Sequence, residues 1–545
     1  MLIGYGLITL LLAIIVWGSD LYAQYDPIII GSTYGSAQSG GSPGDRIAID
    51  NNGGVHFTWM KYIAYPSFRL VYYNYVDSEG NWLTETAVSP VNGSGYPQLS
   101  IAHGDRAGIA YHSAYSPGIE NYVIYAEDTF AGFGIYQYFD PPDLIRYRCY
   151  WPKLTIDRDE FIHIIATENP PNAGDPMILG HCYSTNGGFV WSKFVAIDTL
   201  TTVSAIVISS PVSRKVSIVY CHPIDFSRQI KNDIYFRQIK FDDSFIDYRS
   251  LPVNVTEYGQ NDDSLFAFDQ LDALYDYNDN LHIVWNAFWV TDTGINPTMF
   301  LYHYDFDSGI ITGMNSITWP PDTTCRIPAG NYPICNMSMA INDSLESVLF
   351  VAYSMFDTSD CSAYGYANAD VYLQYSLDGG SIWSDDVNIT NTQTPGCTTG
   401  TCHSEVWPSL ADRVGEYFAH LSYIDDRSGG AMEINKPIYY HKYNVWQTGL
   451  YEEQHKLPCV LSLLRAYPNP FNARTTIEFA LADPGDVELT IYDITGASVG
   501  TVRRPGLQAG RHTIVWDAKD ASSGVYFAHM NAGGSEQSIK MVLLK

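Results

Sequence analysis

Four histidines recur at matched places in the chain: His56, His163, His282 and His420. Each is the second residue of a short apolar phrase (VHFTW, IHIIA, LHIVW, AHLSY). Imidazoles repeated this way suggest a metal ring. A metal, however, needs its ligands to converge within about 2 Å of one ion, and equivalent positions on packed sheets stand on the order of 10 Å apart. The expectation is structural histidine written into a repeat. Carboxylates cluster at Asp276/Asp279, Asp357/Asp360/Asp370, Asp385/Asp386 and Asp425/Asp426. Oxygen-rich turns can hold calcium, but none of these has the full spacing of a calcium loop, so they read as turn residues. No metal site and no cofactor is expected, with calcium alone left open. The nine cysteines show no CxxC pair or Cys/His cluster with zinc spacing. HExxH, phosphate-loop and dinucleotide fingerprints are absent. Two-carboxylate glycosidase chemistry requires a pair at a defined separation, and 59 Asp and Glu residues offer no single choice. The catalytic residues stay unknown at this level.

The elements that must position such residues are short strands. The aligned phrases VHFTW, AGIAY, IHIIA, VSIVY, LHIVW, VLFVA and AHLSY have their second residues at 56, 108, 163, 217, 282, 349 and 420. Each follows another short strand (RIAID, PQLSI, PKLTI, PSLAD) across a Gly/Asp/Asn turn. Most precede a third, such as LVYYNY, DIYFRQ or VYLQYS. One such repeat cannot bury both its faces, whereas a closed series can. The expected fold is all-β, a seven-bladed β-propeller over 24–450, with six blades the alternative. The longest insertions (291–297, 312–333, 357–369, 391–405) belong to the last three repeats, where binding is expected to concentrate.

Two further phrases, STNGGFVW and SLDGGSIW, place Ser184, Asn186, Gly188 and Trp191, and Ser376, Asp378, Gly380 and Trp383, at one spacing. Ser and Asp side chains bond nearby backbone, Gly supplies positive φ, and Trp pins the turn. The pattern resembles the Asp-box (BNR) hairpin of sialidase-like β-propellers. That resemblance implies a fold, not an activity, because Asp-boxes sit at blade peripheries of many non-enzymatic propellers. Sialidases bind a carboxylate with three arginines, use a Tyr/Glu nucleophile and an Asp acid/base, and carry Arg-Ile-Pro near the start of the ring. Here Arg326-Ile327-Pro328 lies in a late insertion, and nothing brings Arg46, Arg106, Arg158 and Arg413 to one place. The phrase Tyr423-Ile424-Asp425-Asp426-Arg427 resembles a strand-end phrase of secreted propellers, in which the Arg pairs with turn carboxylates.

Composition agrees with an exported all-β chain: 14% aromatic residues, 42 of them Tyr. The net charge of -29 falls wholly before residue 465, since Arg465 to Lys545 holds eight basic and eight acidic residues. Such a surface excludes nucleic acid and anionic lipid as partners, and suits cations or neutral polymers. Residues 1–23 read as a secretory signal peptide with cleavage after Ala23, leaving no stable membrane span. Export permits disulfides. The pairs nearest in sequence, Cys325–Cys335 and Cys397–Cys402, are the expected ones, and an odd total leaves at least one thiol.

From 463 the character changes, after a polar linker over 451–462. Alternating strands split by Gly, Pro and Asp turns predict a small immunoglobulin-like β-sandwich over 463–545. The phrases Tyr467-Pro468-Asn469-Pro470-Phe471, VELTIYDITG, Ser523-Gly524-Val525-Tyr526-Phe527 and the ending from Lys540 occur in the order found in the C-terminal sorting domain of type IX secretion cargo, which the tail resembles. That resemblance implies passage across an outer membrane by the type IX machinery, then release or attachment at the surface. The reading is an exported binding module for an extracellular glycan, another surface polymer or a surface protein. The alternative is a sialidase-like glycoside hydrolase or lyase on the same ring.

Overall fold

The computed structural model describes residues 25–445 and 461–545, apart from 117–118, 169–176, 225–230, 243–244, 249, 259–264, 292–293, 321–322, 346, 416, 431–432, 468–470, 482–483, 508–509, 520, 533–534 and 544. The stretch read as signal peptide, most of the linker, Cys459 and Pro468-Asn469-Pro470 lie outside these residues. The chain divides into two compact units, one ending at Asn444 and one beginning at Val445.

The first unit is a succession of sheets built mainly from consecutive antiparallel strands, with the short strand Arg413–Val414 added in parallel to Ile334–Asn342. The first sheet orders Ile47–Ile49, Val55–Ala64, Phe68–Val76 and Thr86–Ala87. The second orders Gly95–Ala102, Arg106–Ser116, Ile119–Asp128 and Tyr136–Phe139. The third runs from Cys149–Ile156 to Val195–Thr201. Strands over 205–254 and 265–318 take the same up-and-down course and are joined by the single pair Asn232 and Ala267. Sheets over 334–388 and 405–444 complete the series. Each sheet's first strand packs on the next sheet's first strand. Ile47–Ile49 packs on both Gly95–Ala102 and Glu405–Leu410, so the series closes on itself. The N-terminal strand Ile28–Thr33 closes it a second way, pairing with Lys436–Asn444 as the outer strand of the last sheet.

There is accordingly no single core but a layer between each pair of neighbouring sheets. Val71, Tyr73, Leu99, Ile109 and Tyr111 fill the layer between the first and second. Phe57, Trp59, Val406, Trp407 and Tyr440 fill the one that seals last to first. This explains the composition. Each sheet has two faces to bury, and large flat rings cover most area per residue, so Tyr is spent on packing.

Up-and-down order gives the ring two distinct faces. The tight turns after each first strand define the turn face, where the repeated histidines are accounted for. Asp50, Asp157 and Asp276 each accept backbone N–H groups of their own turn, as Asp50 does from Asn52 and Gly54 at 2.8 Å. Each also meets the histidine six residues on: His56 at 3.2 Å, His163 at 3.3 Å and His282 at 3.6 Å. Burial works against the Asp50 carboxylate, but the bonds from His56 and the turn outweigh it and hold its pKa below the ordinary value. His420 bonds the Tyr440 hydroxyl at 2.7 Å instead.

Both Asp-box turns also lie on this face, and their bonds match. Ser184 Oγ donates to Asn186 Oδ1 (3.0 Å) and accepts from Gly188 N (2.9 Å), while Val190 N donates to Asn186 Oδ1 (2.8 Å). Ser376, Asp378, Gly380 and Ile382 repeat these bonds at 2.8, 2.8 and 2.9 Å. Trp383 stands edge-on to His303 of the preceding sheet, ring centres 5.2 Å apart, and Trp191 stands likewise to Tyr125 at 6.0 Å. The box therefore staples a sheet to its predecessor.

The second unit holds two antiparallel sheets. One orders Leu461–Tyr467, Arg474–Leu481 and Gly510–Asp517. The other orders Ser498–Leu507, Gly485–Asp493, Gly524–Ala532 and Ser535–Leu543. Its first strand starts at Leu461, inside the stretch expected as linker. Phe471 is buried and its N–H bonds Val542 O at 2.9 Å. Tyr526 is buried against Trp516 and donates to Ser522 O at 2.7 Å, whereas Lys540 is exposed.

Candidate functional site

The upper face lies opposite the turn face, where the first strands begin, and there the ladder is broken in a repeated way. Tyr96, Trp151 and Trp407 adopt φ of 57°, 47° and 58°, each with proline as the next residue, and Asn336 does the same at 60° without one. Pairing slips one or more residues at each place. A bulky residue held at positive φ stores on the order of 1–3 kcal/mol, and a bulge re-aims the side chain it carries.

The first three sheets turn these re-aimed rings into one tract. Arg69 reaches from the strand Phe68–Val76 and donates Nη2 to His112 Nε2 at 3.0 Å. Its guanidinium lies 4.9 Å from the Tyr96 ring centre and 6.0 Å from that of Tyr62. The His112 ring stands 4.6 Å from Tyr96 and 5.7 Å from Tyr150, and Tyr150 lies 5.5 Å from Trp151. Tyr62, Tyr96, Tyr150 and Trp151 are half-buried, so edges and faces of these rings meet solvent. His112 is 2% exposed. Burial, then the Arg69 charge, hold it well below its ordinary pKa, so it is neutral. Because arginine only donates, Nε2 must accept and Nδ1 carries the hydrogen. That buried Nδ1 has no hydrogen-bond partner.

The centre of this face is filled by the chain itself. Residues 35–46 cross it, pinned by Lys153 Nζ to Ser39 Oγ (2.8 Å) and by Arg46 to the carbonyls of Pro43 and Trp407 (3.0 Å each). Burial lowers Lys153 to about 7 and Arg46 to about 10, while Asp272, also buried, rises to about 7. These central charges anchor the crossing segment. The arginines weighed for a carboxylate triad do not converge: Arg46 is buried here, Arg106 pairs with Glu127, and Arg413 bonds Ile49 O at 3.0 Å. Arg158 and Arg413 line a cavity of about 470 Å³ at the turn face, with His103, Glu160 and Asp412.

The long segments of the last three repeats bond chiefly to one another. Arg326 N–H donates to Gly365 O, Ala363 N–H to Cys397 O and Gly400 N–H to Arg427 O. The Arg326 guanidinium covers the Tyr366 ring at 4.6 Å, so the Arg-Ile-Pro tripeptide belongs to this packing. Cys397–Cys402 is a disulfide as expected. The second bond is Cys325–Cys361, not Cys325–Cys335. Cys335 is a fully buried free thiol in a first strand, while Cys361 ends the strand that the Cys325 loop crosses. Sequence proximity misleads here because the loop folds over a neighbouring strand. Cys149, Cys182 and Cys221 are also free and buried. Arg427 Nε bonds Asp425 Oδ2 at 2.7 Å, as the strand-end phrase implied. Among the described residues, His403, Glu405 and Asp425 form the group whose ligand atoms lie close enough for one metal.

Sequence reasoning missed Tyr62, Arg69, Tyr96, His112, Tyr150 and Trp151. The available signal was the aromatic-Pro pair opening three repeats (Tyr96-Pro97, Trp151-Pro152, Trp407-Pro408).

Residues 465–544 match the secretion system C-terminal sorting domain. The tail thus marks the chain for type IX export, to the secreted or outer-membrane surface. Among the described residues no helix is long and apolar enough to cross a membrane. No curated protein matches the chain. Among solved structures, an ulvan lyase of polysaccharide lyase family PL25 is similar over 77% of this chain and 96% of its own, at 12% identity and a TM-score of 0.51. The Trypanosoma rangeli sialidase in complex with the inhibitor DANA matches over 95% and 87%, at 8% identity and a TM-score of 0.39. PorZ, a surface component of the type IX secretion system of Porphyromonas gingivalis, matches over 94% and 61%, at 11% identity and a TM-score of 0.35. The chain thus carries a type IX sorting domain at its C-terminus, and the fold of its first unit is similar to that of the ulvan lyase.

Proposed function

We propose that the chain is an exported glycan-binding module: a propeller of seven blades, the last completed by Ile28–Thr33, carried outward by an immunoglobulin-like sorting tail. The glycan lies on the tract from Tyr62 to Trp151. The observation that carries this reading is a row of half-buried rings arranged about one arginine. Sugar rings present C–H faces that pack on aromatic rings, and their hydroxyls take hydrogen bonds from a fixed donor such as Arg69. The acidity of the ring unit disfavours a highly charged polyanion and favours a neutral or sparsely charged polymer.

A second reading, cleavage of the glycan, draws on His112. A neutral imidazole among tyrosines and beside an arginine has the parts of a general acid/base set. The two separate by incubating the mature chain with a panel of soluble polysaccharides, then measuring retention and analysing products by mass spectrometry. Binding predicts retained, intact polymer. New chain ends would establish the enzyme, and neither retention nor products would point to a protein partner.

A further inference from the structure

We propose, independently of the glycan reading, that His403, Glu405 and Asp425 form a divalent-cation site of the zinc or manganese type on the upper face, between the last two sheets. Glu405 and Asp425 are register partners, directly opposite each other on adjacent antiparallel strands. They are 2% and 1% exposed. Like charges directly opposed in a ladder are unfavourable, and buried charge needs a partner. What the chain supplies is incomplete. Arg427 Nε and His403 Nδ1 both address Asp425 Oδ2, at 2.7 and 3.0 Å. Asp425 Oδ1 is buried with no partner at all. Glu405 Oε2 accepts from Thr392 Oγ1 at 2.6 Å. Two buried carboxylates thus share one guanidinium. One ligand atom from each of His403, Glu405 and Asp425 lies within 4.8 Å of the others.

The frame is built before any ion arrives. Cys402, joined to Cys397, adjoins His403, whose N–H is held by Thr394 Oγ1 at 3.1 Å. Ser362 Oγ bonds Gly429 O at 2.9 Å and Gly400 N–H bonds Arg427 O at 2.8 Å, fixing the turn that carries Arg427. One imidazole and two carboxylates suit zinc or manganese. Calcium asks for six to eight oxygens, which these three residues do not offer. The His403 side chain is 37% exposed and gives the ion its way in.

The test uses the full mature chain, stripped with chelator and dialysed. Zinc and manganese are titrated calorimetrically, retained metal is counted by elemental mass spectrometry, and calcium serves as comparison. The expected result is one equivalent of zinc or manganese, a raised melting temperature on loading, and weaker calcium binding. Affinity should fall at least about tenfold in H403A and in E405Q. Both variants should stay folded, H403A because the residue is partly exposed and E405Q because it removes the opposed charge. Wild type that takes up neither metal would overturn the proposal. So would H403A and E405Q binding as wild type does, or calcium binding more tightly than zinc and manganese.

Discussion

The two faces of the ring are built on opposite principles. The turn face is regular: the same carboxylate caps the same turn and meets the histidine six residues on in three repeats, and two Asp-boxes share one hydrogen-bond pattern. The upper face is irregular. Its strands begin in strained bulges, its loops differ in length, and both disulfides knit those loops together. Regularity there would gain nothing, because a binding surface must differ from place to place. Repetition holds the ring together, and the proposed binding tract lies where repetition is broken.

The largest expected effects test the knitting of the upper face. Replacing Cys325 and Cys361 by serine releases a loop of 36 residues, against 5 for Cys397 and Cys402. Chain entropy alone predicts losses of roughly 4 and 2 kcal/mol, read from urea unfolding. Equal losses would mean the loops hold their shape without the bonds.

On the turn face, Gly380→Ala should destabilise by about 3 kcal/mol. Its φ is 89° and a Cβ would meet the His303 ring at 2.0 Å. The adjacent Gly379→Ala, with φ of 72° and open space, should lose only about 1 kcal/mol. Neither should change glycan retention. A smaller effect concerns His420, which burial lowers to about 3. Its folded value lies below the unfolded one of about 6.5, so between these values the unfolded chain binds more protons and stability rises with pH. Acidification should therefore remove up to about 1.4 kcal/mol per pH unit through this group. His420→Gln should flatten the wild-type stability curve by that slope between pH 6 and 4.

Much of this was legible in the sequence because repetition is. Strand phrases spaced through the chain, turn carboxylates and two Ser-x-Asp/Asn-x-Gly-x-x-Trp phrases report local bonds, and local bonds need only neighbours in sequence. The ordered phrases of the tail were legible for the same reason. The upper face was not. Arg69, Tyr96, His112 and Tyr150 come from four strands of three sheets, and His403, Glu405 and Asp425 from a loop and two strands, so no spacing announces either group. Cys325 finds Cys361 for the same reason: a loop's partner is set by the strand it crosses, not by the next cysteine along the chain.

Ligand binding, on this reading, belongs to the ring tract of the upper face. Wild type, Arg69→Ala, Tyr96→Ala and Gly379→Ala should be titrated in parallel with a polysaccharide that wild type retains, by calorimetry with melting temperatures recorded. Loss of a stacked ring or a charge-assisted bond predicts affinity at least about tenfold weaker for Arg69→Ala and Tyr96→Ala. Gly379→Ala should bind as wild type does. Undiminished binding by the two upper-face variants would contradict the claim and place the ligand elsewhere on the ring.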